Sequence, residues 1–167
     1  MNLVLNVLVG GVDTTQSQLA QAMRLLCERP DQWKALRSDR ELAPRAVEET
    51  LRLEPITPFT ARIVEEELEF RDVLFPEGTI LLVAAVTANV DGEPADFDLT
   101  TERDSSKPLT FGAGPHYCLG ANLARAELQE GLRFLAPRMP GLALDGEPVF
   151  GSVQGIYGLE SLPLRWG

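Results

Sequence analysis

The stretch Phe111-Gly112-Ala113-Gly114-Pro115-His116-Tyr117-Cys118-Leu119-Gly120 concentrates the chemistry of this chain. Gly112, Gly114 and Gly120 fall within nine residues around Cys118, beside His116, the single histidine of the sequence. Glycine admits positive φ and lets a flat ligand approach the main chain, so this is backbone folded tightly about a thiol. Amide N–H groups released by such a turn, and those of a following helix N-terminus, would point at the sulfur and favour thiolate over thiol. A thiolate so held can be a nucleophile, a redox sensor or a metal ligand. The same composition also suits a small buried cysteine in a glycine turn. His116 taken alone reads as a solvated loop imidazole.

Three other clusters carry chemistry. In Gly10-Gly11-Val12-Asp13-Thr14-Thr15, an acid and a hydroxyl are adjacent. Within a helix, Thr14 can bond the carbonyl of Gly10 four residues back and open a groove. The hexad equally suits a helix start, with Asp13 as N-cap and Gln16 three residues on. It is not a phosphate loop, because no Gly-Lys-Ser/Thr follows. Glu49 and Arg52 sit at i, i+3 and can pair on one helix face, with Glu48 competing for the same arginine; alone, this reads as a surface bridge. Arg62, after Pro58, reads as a strand cation. Arg125 and Arg133, interspersed with Glu127 and Glu130, read as the exposed face of an amphipathic last helix.

The elements that must position these residues follow from period and punctuation. Leu19, Met23 and Leu26, spaced by four and three, predict a helix from about Asn2 to Glu28. Arg29-Pro30 stops it. Pro30 opens a helix over Asp31–Ser38 and Pro44 another over Arg45–Leu53, which Pro55 and Pro58 end. Thr60–Val64 and Thr79–Val83 are β-rich, with Pro76-Glu77-Gly78 as a turn. Residues 89–110 predict irregular coil, and Ala121–Leu135 a last helix closed by Pro137. Glycines at 141, 146, 151, 155 and 158 predict short strands and tight turns. The expected class is mainly α with a minor β part.

Composition narrows the function. A chain of 167 residues, 44% hydrophobic and 24% charged, is globular with room for one core. Fifteen Lys and Arg against 25 Asp and Glu leave a net charge of -10, which disfavours nucleic acid or an anionic membrane as partner. Cys27 and Cys118 cannot make a disulfide framework, which points to a reducing, cytoplasmic compartment. The apolar opening is interrupted by Asn2, Asn6 and Asp13, and no cation precedes Arg24, so neither a membrane segment nor a targeting signal is expected.

The Cys118 stretch resembles the cysteine-loop signature of the cytochrome P-450 family, the haem-thiolate monooxygenases. Phe111, Gly112, Gly114, His116, Cys118 and Gly120 all fall on its positions. The other clusters follow in the family's order. Gly10–Thr15 resembles the middle of its long distal helix, Glu49-Thr50-Leu51-Arg52 its Glu-x-x-Arg helix, and Arg62 its propionate-binding strand. The resemblance implies haem b (iron protoporphyrin) as cofactor and Cys118 as the axial metal ligand, which pushes electron density to iron. It implies that Phe111 shields the sulfur, that Gly112 and Gly120 allow close approach to the porphyrin, and that His116 and Arg62 meet its propionates. Asp13 and Thr14 become the catalytic pair that manages protons around dioxygen. Arg103, by its distance from Phe111, becomes the third member of a structural triad with Glu49 and Arg52. Pro108, with Lys107 beside it, stands where many members carry another propionate-binding histidine.

The resemblance further implies a fold: the C-terminal part of the cytochrome P-450 fold, as one partial domain over residues 1–167 from which an N-terminal portion is absent. The implied reaction inserts one oxygen atom from O2 into an apolar small molecule, with electrons from NAD(P)H through a ferredoxin or flavoprotein. The rival expectation is a truncated or degenerate fragment without catalysis, or a partner of a separate N-terminal half.

Overall fold

The computed structural model of the chain describes residues 2–92, 94–103, 108–152 and 155–167. The chain opens with α1 (Asn2–Cys27), α2 (Pro30–Ser38) and α3 (Ala43–Leu53). Helix α1 uses the predicted spacing in its C-terminal half, where Ala22, Met23, Leu25 and Leu26 are buried. In its N-terminal half Val4, Leu5, Val7, Leu8 and Val12 lie exposed. Proline opens α2 and α3, since its fixed φ suits a first turn and its missing N–H is not needed there.

Strand β1 (Phe59–Ile63) pairs antiparallel with β4 (Ile80–Ala84), Phe59 opposite Ala84 and Ile63 opposite Ile80. Between them lies a hairpin absent from the sequence reading, β2 (Leu68–Phe70) against β3 (Val73–Phe75). The Pro76–Gly78 turn forms as predicted: the Thr79 N–H donates to Pro76 O at 3.1 Å and Gly78 takes φ +82°. One further turn of helix, α4 (Ala85–Ala88), also went unpredicted. After the coil comes α5 (Ala121–Leu135), with the predicted bounds. The glycine-rich tail forms two small antiparallel pairs: β5 (Ala143–Leu144) with β8 (Leu164–Arg165), and β6 (Val149–Phe150) with β7 (Leu159–Ser161). The architecture is mainly helical with small two-stranded sheets.

One core lies among α1, α2, α3 and α5, closed by Phe97 and Leu99 from the coil. Leu26, Leu36, Leu51, Leu99 and Leu132 are each less than 2% exposed; burial of such a side chain stabilises by roughly 1.5–3 kcal/mol. Trp33 spans the core and its Nε1 donates to Met139 O at 2.8 Å, so the indole N–H is not left unpaired. Gln18, buried on α1, donates through Nε2 to Glu54 O at 2.9 Å and accepts the Ile56 N–H at 3.3 Å, fixing α1 to the end of α3. Among the described residues no helix is long and apolar enough to cross a membrane.

Candidate functional site

The cysteine loop is built by short-range backbone bonds. Leu109–Phe111 and Gly114–His116 are single 3-10 turns. Gly112 at φ +72°, ψ -166° and Gly114 at φ +70° reverse the chain in backbone regions that L side chains rarely enter. The Cys118 N–H donates to Phe111 O at 2.9 Å and the Tyr117 N–H to Gly114 O at 3.0 Å. The Ala121 N–H returns to Cys118 O at 3.3 Å as α5 begins. These donors are used on carbonyls, and among the described residues none reaches Cys118 Sγ, contrary to the expected convergence of amides on the sulfur. The thiol is exposed, not buried. A Cβ at Gly120 would touch Sγ at 4.0 Å, so a side chain there would lie against the sulfur.

Cys118 opens on a cavity of about 270 Å³ between α1, β1 and α5. From the loop, Phe111, Gly112, His116 and Gly120 line it; from β1, Arg62 does. Helix α1 contributes Gly10, Gly11 and Thr14. A Cβ added at Gly10 or Gly11 would meet nothing within 4 Å, so the helix presents bare backbone there. Thr14 Oγ1 donates to Gly10 O at 2.6 Å, the back-bond that sequence spacing suggested. Asp13 is exposed and does not line the cavity, because it lies off the helix stripe formed by Gly10, Gly11, Thr14, Thr15 and Gln18. Arg62 is exposed, and its Nη1 donates to Ala61 O at 2.8 Å. Sequence reasoning missed Gln18, Thr60 and Leu123 as lining residues. Gln18 had a usable signal, because it lies four residues beyond Thr14 and shares its face.

A sulfur donor, an imidazole, a guanidinium and a hydroxyl thus surround a space with apolar walls. This donor set fits an iron porphyrin. A thiolate suits the iron, and Arg62 and His116 can donate to the two carboxylates that such a group carries.

Glu49, Arg52 and Arg103 form a separate cluster behind the core. Arg52 Nε and Nη2 reach the two Glu49 oxygens at 2.8 Å each, and Arg103 Nε reaches Glu49 Oε1 at 3.1 Å. Arg52 also donates to the carbonyls of Pro94 and Asp96, and Arg103 Nη2 to the Asp96 carbonyl and to Asp96 Oδ1. Burial works against the Arg103 charge, but the Asp96 hydrogen bond and the Glu49 and Asp96 carboxylates outweigh it and hold its pKa above the ordinary guanidinium value. The pair is therefore internal, not the surface bridge that its spacing alone suggests. Pro108 borders the hollow beside this cluster, and Lys107 lies outside the described residues.

Glu48 does not compete for Arg52. It turns to Arg125 on α5, whose Nε lies 2.5 Å from Glu48 Oε1. That hydrogen bond, over an opposing burial cost, holds Arg125 above the ordinary guanidinium value. Arg133 pairs with Glu130 at 2.7 Å. Both arginines are thus engaged by carboxylates.

Comparison with known proteins agrees with the fold. The family model for cytochrome P-450 matches residues 1–134. Luteothin monooxygenase of Streptomyces thioluteus is 42% identical over 170 residues, covering 99% of this chain and 42% of that protein. Nocardicin C N-oxygenase of Nocardia uniformis subsp. tsuyamanensis is 43% identical over 150 residues, covering 86% of this chain and 37% of that protein. Among solved structures, the tirandamycin C-bound P-450 monooxygenase TamI matches with a TM-score of 0.90 at 36% identity, over 99% of this chain and 43% of its own. CalO2 matches with a TM-score of 0.88 at 33% identity, over 98% of this chain and 42% of its own. The chain spans about two-fifths of the length of the curated relatives it matches. Agreement of sequence and backbone at this level, over nearly the whole chain, makes this protein a member of the cytochrome P-450 family.

Proposed function

We propose that this chain carries the cysteine-ligated haem site of a monooxygenase, which inserts one oxygen atom from O2 into an apolar small molecule. The supporting observation is that Thr14, Arg62, His116 and Cys118 line one cavity. When bound there, haem b supplies the iron chemistry that activates O2. Cys118 Sγ would hold its iron, and Arg62 and His116 would hold its propionates. Leu51, Phe111, Leu123 and Leu128 supply apolar walls that restrict water around the reacting atoms. Thr14 Oγ1 keeps its own hydrogen on Gly10 O, which leaves its lone pairs to accept a hydrogen bond on the cavity side. Asp13, exposed one position earlier on α1, is the neighbouring acid that this reading pairs with that hydroxyl in proton handling. Because the reaction consumes electrons as well as protons, the reading implies an electron-donor partner, a ferredoxin or flavoprotein drawing on NAD(P)H.

The test is the absorption spectrum of the 167-residue chain loaded with haem, reduced and treated with carbon monoxide. A strongly red-shifted Soret band that disappears in Cys118→Ser supports the site. Failure to take up haem, or the same band in Cys118→Ser, overturns it for this chain.

A further inference from the structure

Arg125 is engaged on all of its faces. Its side chain is 14% exposed. One edge meets Glu48 of α3, with Nε 2.5 Å from Oε1 and Nη2 3.3 Å from Oε2. Nη1 donates to Tyr117 Oη at 3.3 Å, and the guanidinium carbon lies 4.5 Å from the centre of the Phe111 ring. Phe111 and Tyr117 meet each other edge to face, with centroids 6.4 Å apart.

Those two aromatic residues flank the thiol. Phe111 O accepts the Cys118 N–H, and Tyr117 immediately precedes Cys118. One planar cation thus ties both flanks of the cysteine loop to a carboxylate on a core helix. Only a guanidinium offers an edge for a carboxylate, a further N–H for a hydroxyl and a flat face for a ring at once.

We infer that Arg125, anchored by Glu48, is a positioning residue that braces the cysteine loop and so fixes where Cys118 Sγ stands. The inference rests on the reading of Cys118 as the iron ligand. A simple staple between α5 and α3 is the competing account. The two differ in reach, because a brace acts on residues 111–118, whereas a staple acts on the whole core.

Amide hydrogen exchange of this 167-residue chain without haem separates them. In Arg125→Met, the Tyr117 and Cys118 amides should exchange roughly tenfold faster or more, while Val47 and Leu51 in α3 change by less than about threefold. Glu48→Gln should move the same amides in the same direction by less, and Arg125→Lys should restore only part of the protection. In the haem-loaded chain, Arg125→Met should convert a measurable fraction of the reduced carbon monoxide adduct from the red-shifted to the blue-shifted Soret form. Unchanged loop exchange, or an equal rise across α3 and the loop, overturns the brace. If Arg125→Met does not fold, Glu48→Gln and Arg125→Lys decide by the same criterion. Cys118→Ser separates the two readings: a red-shifted band that survives it sinks the ligand assignment, whereas the exchange result speaks only to Arg125.

Discussion

Arg52 and Glu49 meet through two hydrogen bonds of 2.8 Å while their side chains are only 3% and 8% exposed. Each makes further bonds. The Asp98 N–H and Arg103 reach the carboxylate, and two coil carbonyls take the other guanidinium hydrogens. A charge pair this dry is tolerable because the carboxylate accepts four hydrogen bonds and every guanidinium nitrogen donates at least one. It nails the coil of residues 94–103 to α3.

Removing one partner strands the others. Glu49→Ala leaves two arginines facing buried space, and the expected loss is about 3–5 kcal/mol, a large part of the stability of a domain this size. The urea midpoint measures it. A loss below about 1 kcal/mol would reduce the pair to a surface bridge.

Asp98 gives the coil an acid-sensitive point. The Thr101 hydroxyl and the Thr100 N–H and hydroxyl bond its carboxylate and lower its pKa from 3.8 to about 2. Because the folded value lies below the ordinary one, the stabilising contribution is complete above the ordinary value and fades as pH falls towards 2. The gap in urea midpoint between the parent chain and Asp98→Asn should therefore be widest near neutral pH and shrink steadily below pH ~4. A gap independent of pH would show that the carboxylate's charge is not what stabilises.

The two cysteines should separate chemically. Burial, with help from the Glu28 charge, pushes the Cys27 thiol up to about 11, so about one in a thousand is thiolate at pH ~8. Cys118 is exposed. Iodoacetamide at that pH should modify Cys118 first and leave Cys27 largely intact by mass spectrometry of peptides. Bound haem should then protect Cys118 alone. Equal labelling of both would contradict the burial of Cys27.

Thr14→Ala removes the hydroxyl from the cavity while sparing the lining residues from the loop. In a haem-loaded enzyme carrying this chain, haem retention should be unchanged and more peroxide should be released per electron pair consumed. Full coupling of electrons to product would remove Thr14 from proton handling.

Much of this was legible in the residues. Gly120 and Pro137 bracket α5, prolines start α2 and α3, and the cysteine loop announces its turns through glycine. The β2–β3 hairpin was not legible, because Arg71 and Asp72 take φ +52° and +62° at its tip, where a glycine or asparagine would have flagged the turn. Glu48 and Arg125 lie 77 residues apart, and no local pattern pairs them. Nor does spacing say whether Glu49 and Arg52 face water or the core. That is decided by Phe97 and Leu99, which fold the coil over them.

Helix α1 buries Ala22, Met23, Leu25 and Leu26 near one end and exposes Val4, Leu5, Val7 and Leu8 near the other, with the Gly10–Thr14 segment between them. Gln18 ties α1 to the end of α3, and the exposed Val4, Leu5, Val7, Leu8 and Val12 all lie on the N-terminal side of that tie. Just beyond the tie lie two glycines and a threonine back-bond, the features that let a helix bend. A bend of α1 on the N-terminal side of Gln18 would therefore move Gly10, Gly11 and Thr14, the stretch of cavity wall that this helix supplies.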